Sequence, residues 1–126
     1  MPTAALDVAH AFHAALAAED WGALRGVFTD DARWILPGDN AVSGPAEGAD
    51  AVVARARLIA TYGMKFDLEH VVASRSNMAL LQHNTAECGG RRFDEHVATV
   101  CRLRGDRISE IETYVSDLAG FDRFFV

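Results

Sequence analysis

The hydrophobic period of this chain changes once, at Met64, and that change restricts the fold more than any other feature. Before it, apolar residues recur at steps of three and four; after it, they alternate. In 3–18 the recurring positions are Leu6, Ala9, Phe12 and Leu16, the pattern of an amphipathic helix. Glu19-Asp20-Trp21 opens a short second helix, with Asp20 as N-cap and Leu24 and Phe28 on one face, and Thr29-Asp30-Asp31 breaks it. Residues 32–36 read as a strand stopped by Pro37-Gly38, and 37–49 as a loop of Gly, Pro and small polar residues. Residues 49–62 return to helical spacing through Val52, Ala56 and Ile59, with Gly63 as the stop.

Four strand-like stretches follow, 64–74, 77–88, 91–103 and 107–117, separated by Arg75-Ser76, Gly89-Gly90 and Arg104-Gly105-Asp106. Separators this short predict antiparallel hairpins. Helices first and strands afterwards predict an α+β fold: a curved antiparallel sheet with three helices from the N-terminal half packed on one face. At 126 residues, half of them hydrophobic, the chain suits one domain spanning 1–126 with a real core. The end, 118–126, is too apolar for a free tail and is expected to fold back over the sheet or onto a partner.

Strand parity sorts the side chains onto two faces. A two-residue turn at Gly89-Gly90 pairs Cys88 with Arg91, and counting back sets Asn84 against Glu95, Gln82 against Val97, Leu80 against Thr99 and Met78 against Cys101. This set is the more apolar and is placed inward. His83 and His96, Thr85 and Asp94, and Glu87 and Arg92 then face outward. For the second hairpin, a two-residue turn would bury Glu110 and Glu112, which costs several kcal/mol unless they are paired. A three-residue loop is therefore expected, turning Ile111, Thr113, Val115 and Asp117 inward. On 64–74, Phe66, Leu68, His70 and Val72 are expected to share the inner face, as are Trp34 and Leu36 on the first strand. The result is an oily concavity interrupted by His70, Gln82, Asn84, Glu95, Thr99, Thr113 and Asp117, the usual make-up of a small-molecule site.

Several stretches resemble the SnoaL-like and ketosteroid-isomerase-like branch of the nuclear transport factor 2-like superfamily. They are Phe12-His13-Ala14-Ala15-Leu16 with Glu19-Asp20-Trp21, Val27-Phe28-Thr29-Asp30-Asp31-Ala32, Trp34-Ile35-Leu36-Pro37-Gly38, Gly44 and Gly48, Gly89-Gly90-Arg91, and Gly105-Asp106-Arg107-Ile108. The resemblance implies a cone-shaped α+β barrel and cofactor-independent acid/base chemistry on a small hydrophobic metabolite: cyclisation, isomerisation or hydrolysis. A non-catalytic binding protein for an apolar ligand is the alternative, and a module whose pocket is plugged by Phe121, Phe124 and Phe125 is a third. The ketosteroid-isomerase tyrosine and two aspartates fall at Phe12, Leu36 and near Thr99, so that mechanism is lost. The arginine-aspartate element of limonene-epoxide hydrolases would fall at Gln82-His83-Asn84, which carries neither charge. The SnoaL-type aspartate near the end of the last strand matches Asp117.

The candidate catalytic pair is therefore Asp117 and His70, with Asp117 alternatively capping the segment after it and His70 alternatively a core histidine. Phe12, Trp34, Leu36, Tyr62, Phe66, Gln82, Asn84, Thr99, Thr113 and Phe121 are the candidate substrate contacts. Glu95, inward by the register count, alternatively lies in solvent at the pocket mouth. His10 and His13 lack a partner for a metal site, and no metal or cofactor is expected. A net charge of −6 with scattered acids argues against nucleic acid. No apolar run reaches the roughly 18 residues of a membrane helix. The N-terminal residues lack the basic region of a secretory signal. With two cysteines and no disulfide framework, a cytoplasmic location is expected. A homodimer through the outer sheet face is expected as well.

Overall fold

The computed structural model describes residues 3–126, in the order α1 (Thr3–Ala18), α2 (Trp21–Gly26), β1 (Phe28–Leu36), β2 (Gly44–Glu47), α3 (Ala49–Ala60), β3 (Lys65–Ala73), β4 (Asn77–Cys88), β5 (Arg91–Arg104), β6 (Arg107–Val115) and α4 (Leu118–Phe124). The six strands form one sheet in the order β2-β1-β6-β5-β4-β3. Every neighbouring pair is antiparallel except β1 with β6, which is parallel. The result is the α+β cone of the nuclear transport factor 2-like folds: a curved sheet whose concave face is covered by α1, α2 and α3 and closed at one end by α4.

Local chemistry explains the element ends. Helix α1 stops at Glu19, whose φ of 55° takes the left-handed conformation that ends helices. Asp20 then starts α2 by accepting the Ala23 amide proton at 3.1 Å. The sheet extends further than the sequence signals it. Strand β1 already begins at Phe28, and the expected break at Thr29-Asp30-Asp31 lies inside it. The expected loop 37–49 contains the short strand β2. The apolar end folds into α4, with Phe121, Phe124 and Phe125 almost fully buried.

Besides a register shift on β1 between Phe28 and Arg33, two extra residues, on β6 and β3, decide which way side chains point. The β4–β5 register runs from Cys88–Arg91 to Asn77–Arg102 without a break, as parity predicts. The β5–β6 turn is a two-residue one, pairing Arg104 with Arg107 rather than leaving a three-residue loop. Between Arg102–Glu110 and Leu103–Ile108 the register shifts, so that Ser109 is an extra residue on β6. That bulge restores the orientation expected of the longer loop: Ile108, Ile111 and Thr113 are buried, while Glu112 and Tyr114 are exposed. A second bulge lies on β3, where Leu68 pairs with Gln82 but His70 pairs with Leu81. Glu69 is the extra residue there, and it reverses the parity of everything after it.

The core has two parts. The larger lies between α1, α2, α3 and the sheet, around Phe12, Leu24, Phe28, Leu80 and Ile108. The smaller gathers Leu36, Phe93, Phe121, Phe124 and Phe125 at the α4 end. Asp122 ties α4 to the segment after β1, accepting from the Asp39 amide at 2.9 Å and from Asn40 Nδ2 at 2.7 Å. The approach is close enough that a Cβ on Gly38, whose φ is +84°, would collide with the Asp122 carboxylate. Gly38→Ala is therefore expected to cost about 2 kcal/mol, from a strained φ and a displaced tether. A urea melt that keeps the wild-type midpoint would show the tether to be unimportant.

Candidate functional site

Between the concave face and the helices lies a cavity of about 50 Å³. Helix α1 contributes Phe12, β1 contributes Trp34 and Leu36, β3 contributes Phe66, and α4 contributes Phe121. The inward residues Gln82 and Asn84 of β4, Thr99 of β5 and Thr113 of β6 supply its polar atoms. Nine of the ten sequence-predicted contacts thus line one hollow. Tyr62 does not. It packs behind the cavity wall against Phe124 and Phe125, at ring separations of 5.8 and 4.9 Å, and its hydroxyl donates to the Val126 carbonyl at 3.2 Å. Its place at the end of α3 points it at the C-terminal segment, which sequence periodicity could not locate.

The polar atoms are partly spoken for. The Trp34 indole N–H donates to Thr113 Oγ1 at 2.9 Å, and the Thr99 hydroxyl donates to Gln82 Oε1 at 2.7 Å. Asn84 Oδ1 is buried without a hydrogen-bond partner. Burying such an acceptor unpaired is costly, so it is either a strain carried by the fold or a place kept for a donor. Among the described residues, no side chain lining the cavity ionises. Cys101 is buried near it, but burial pushes its thiol up to about 12 and leaves it inert.

The two expected catalytic groups are elsewhere. Asp117 is exposed and caps α4, accepting the Gly120 amide proton at 3.0 Å. Parity holds along β6 as far as Val115, which lines the cavity, but the strand ends there and the chain turns before Asp117. His70 is exposed because the Glu69 bulge turns it, together with Val72, to the outer face. The capping alternative for Asp117 describes its position; the core alternative for His70 does not.

Two residues matter more than their sequence signals suggested. Arg55 of α3 sits half-buried, and among the described residues no carboxylate pairs with it. It donates to the carbonyls of Trp34 at 3.1 Å and Gly44 at 2.7 Å, and its guanidinium lies 5.8 Å from the Trp34 ring centre. It thereby fixes both the backbone and the ring face of a cavity wall. Glu95 is only 4 % exposed, as the register count expects and against its solvent alternative. Its Oε1 accepts the Asp117 amide proton at 3.1 Å. Desolvation raises its pKa above the ordinary carboxylate value, and the Asp117 charge adds to this, while the Asp117 backbone hydrogen bond and Arg123 oppose it. The register count that placed Asn84 inward also placed Glu95 inward; what was missing was α4 lying over it.

A six-stranded curved sheet whose helices cover a concave hollow is the architecture of the nuclear transport factor 2-like class. A family model described as a SnoaL-like domain matches residues 9–111, and the chain belongs to that family. Bal32a from a soil-derived mobile gene cassette superposes with a TM-score of 0.93 at 26 % identity, over 99 % of this chain and 98 % of that one. An NTF2-like protein from Burkholderia xenovorans LB400 gives 0.86 at 20 % identity, over 100 % and 98 %. TerC, co-crystallised with polyporic acid, gives 0.85 at 12 % identity, over 97 % and 98 %. No curated protein matches the sequence.

A buried acid whose folded pKa is raised makes the native state less stable once it is ionised. For Glu95 that loss is complete above its folded pKa and is relieved as pH falls through it toward the unfolded value. Glu95→Gln keeps an acceptor for the Asp117 amide and removes the charge. It is expected to raise the melting temperature at pH 7, with the difference from wild type closing as the pH is taken below about 4.3. A constant difference across that range would assign the effect to packing instead.

Proposed function

We propose that this protein binds a small, uncharged, mainly apolar molecule in the cavity under its helices, without transforming it. The observation that carries this is the lining itself: apolar side chains, neutral amides and hydroxyls, and the unpaired acceptor Asn84 Oδ1. Acid/base cyclisation, isomerisation or hydrolysis would need an ionisable group facing the hollow, and Asp117 and His70 do not supply one. Co-crystallisation of TerC with polyporic acid supports small-molecule binding as a use of this fold.

At about 50 Å³ the cavity is far below the roughly 300 Å³ at which drug-sized ligand sites begin. Binding of even a single aromatic ring therefore requires Phe121 and Phe125 to move aside. The same figure favours the competing reading, a module whose hollow is permanently plugged by its own C-terminal rings.

Toluene distinguishes the two. If the cavity accepts ligand, toluene at a hundredfold excess over its Kd stabilises the protein by about 2.7 kcal/mol, read as a rise in melting temperature. Phe121→Ala should cost about 3–5 kcal/mol in the free protein and bind toluene more tightly, because it enlarges the same hollow. No thermal shift in either protein overturns the binding proposal and leaves the plugged module.

Pairing of two copies is proposed for the outer sheet face, where exposed Tyr114 lies among half-buried Leu81, Ala98 and Val100. Light scattering should give twice the monomer mass; a monomer at micromolar concentration removes the dimer. The described residues contain no helix long and apolar enough to cross a membrane. A cytoplasmic location is part of the same proposal, supported by two free cysteines.

A further inference from the structure

A buried carboxyl is costly to keep, and the cavity does not use Glu95. This side chain lines a second hollow, an open groove of about 680 Å³ beside α4, bordered also by Arg91, Phe93, Asp117, Arg123 and Phe124. The Asp117 amide occupies Glu95 Oε1. Among the described residues nothing hydrogen-bonds Oε2, so that oxygen is left for a ligand in the groove.

The groove and the inner cavity are neighbours. Phe93 borders both. Its ring lies 6.1 Å from Phe121, on the cavity side, and 5.3 Å from Phe124, on the groove side. One layer of aromatic rings therefore separates the two hollows. Across the strands, Glu95 is the register partner of Asn84, which lines the cavity. Side chains of such partners on one face stand about 5 Å apart at Cβ. A molecule with its apolar body among the inner rings would hold its head within reach of Glu95 once that layer parts.

Charge narrows the head group. Arg91, Arg92 and Arg123 in the groove are offset by Asp94, Glu95 and Asp117, so a charged head gains no net attraction. A neutral donor gains a charge-assisted hydrogen bond from the carboxylate without that balance being disturbed.

We infer that the groove is the polar half of the ligand site, that its occupant is an alcohol with an apolar body reaching the inner cavity, and that Glu95 accepts the hydrogen bond from its hydroxyl. This rests on the binding function proposed above. Glu95 then sets specificity, and the stability lost to its burial is retained because the ligand needs the charge.

The test compares 3-phenyl-1-propanol with n-propylbenzene by titration, reading Trp34 fluorescence in a Trp21→Phe background. Glu95→Leu should weaken alcohol binding about tenfold and leave hydrocarbon binding within twofold. Glu95→Gln, which keeps the Asp117 contact, should give a smaller loss for the alcohol alone, and carries the test if the leucine variant does not fold. Equal changes for both probes, or none for either, overturn the role of Glu95. A wild type that binds the hydrocarbon but not the alcohol overturns this inference and leaves the cavity function standing. A wild type that binds neither overturns both.

Discussion

The long β4–β5 hairpin sets everything else in this molecule. Its register is locked by Gly89 and Gly90, whose φ values of 58° and 77° suit a tight turn that twists with the strands and that side chains resist. A slip of one residue would exchange the two faces. Gln82, Asn84 and Thr99 would then meet water, and His83, His96, Asp94 and Arg92 would be driven under the helices. The neutral interior is thus a consequence of turn geometry as much as of composition. On the outer face the same register stacks His83 on His96, ring centres 4.7 Å apart, with Asp94 hydrogen-bonded to His83 and raising its pKa.

Against that fixed hairpin the two ends of the cone are closed differently. The helix side is packed by ordinary apolar contacts. The α4 side is held by a small number of directional bonds around a cluster of phenylalanines: Asp122 to the segment after β1, Arg91 Nε to the Phe124 carbonyl at 3.0 Å, and the Ala41 amide to the Phe125 carbonyl at 3.0 Å. Arg55 does similar work at the mouth of β1, using carbonyls rather than a carboxylate. Bonds of this kind can be exchanged for water one at a time, whereas a packed helix must leave its core at once. An opening for the proposed ligand would therefore fall where the structure resists it least.

What could be read from the sequence follows from the same distinction. Helix periodicity located α1, α2 and α3, and alternation located β3 to β6, because burial of one face leaves a regular pattern. The lining of the cavity followed from one turn and a count. The misplacements arose where the count meets an irregularity with no compositional mark. Glu69 is an extra residue in a stretch that reads as unbroken alternation, so His70 was carried to the wrong face. Asp117 kept the right parity on a strand that had already ended. For Glu95 the count gives the inner face while its charge argues for water, and the covering helix decides for the count. Ser109 had the opposite effect: a wrong loop length and an unseen bulge cancelled, and β6 came out correctly oriented.

The two outermost strands of the sheet carry a consequence for how copies of this protein can meet. Strand β2 is four residues long and contains Pro45, which offers no amide to a neighbour, while β3 is bent by its extra residue at Glu69. Neither border presents the straight run of free amides and carbonyls that lets one sheet zip onto another. Growth into continuous ribbons is thereby discouraged at both margins, and association is left to the broad surfaces, where it can stop at a closed pair.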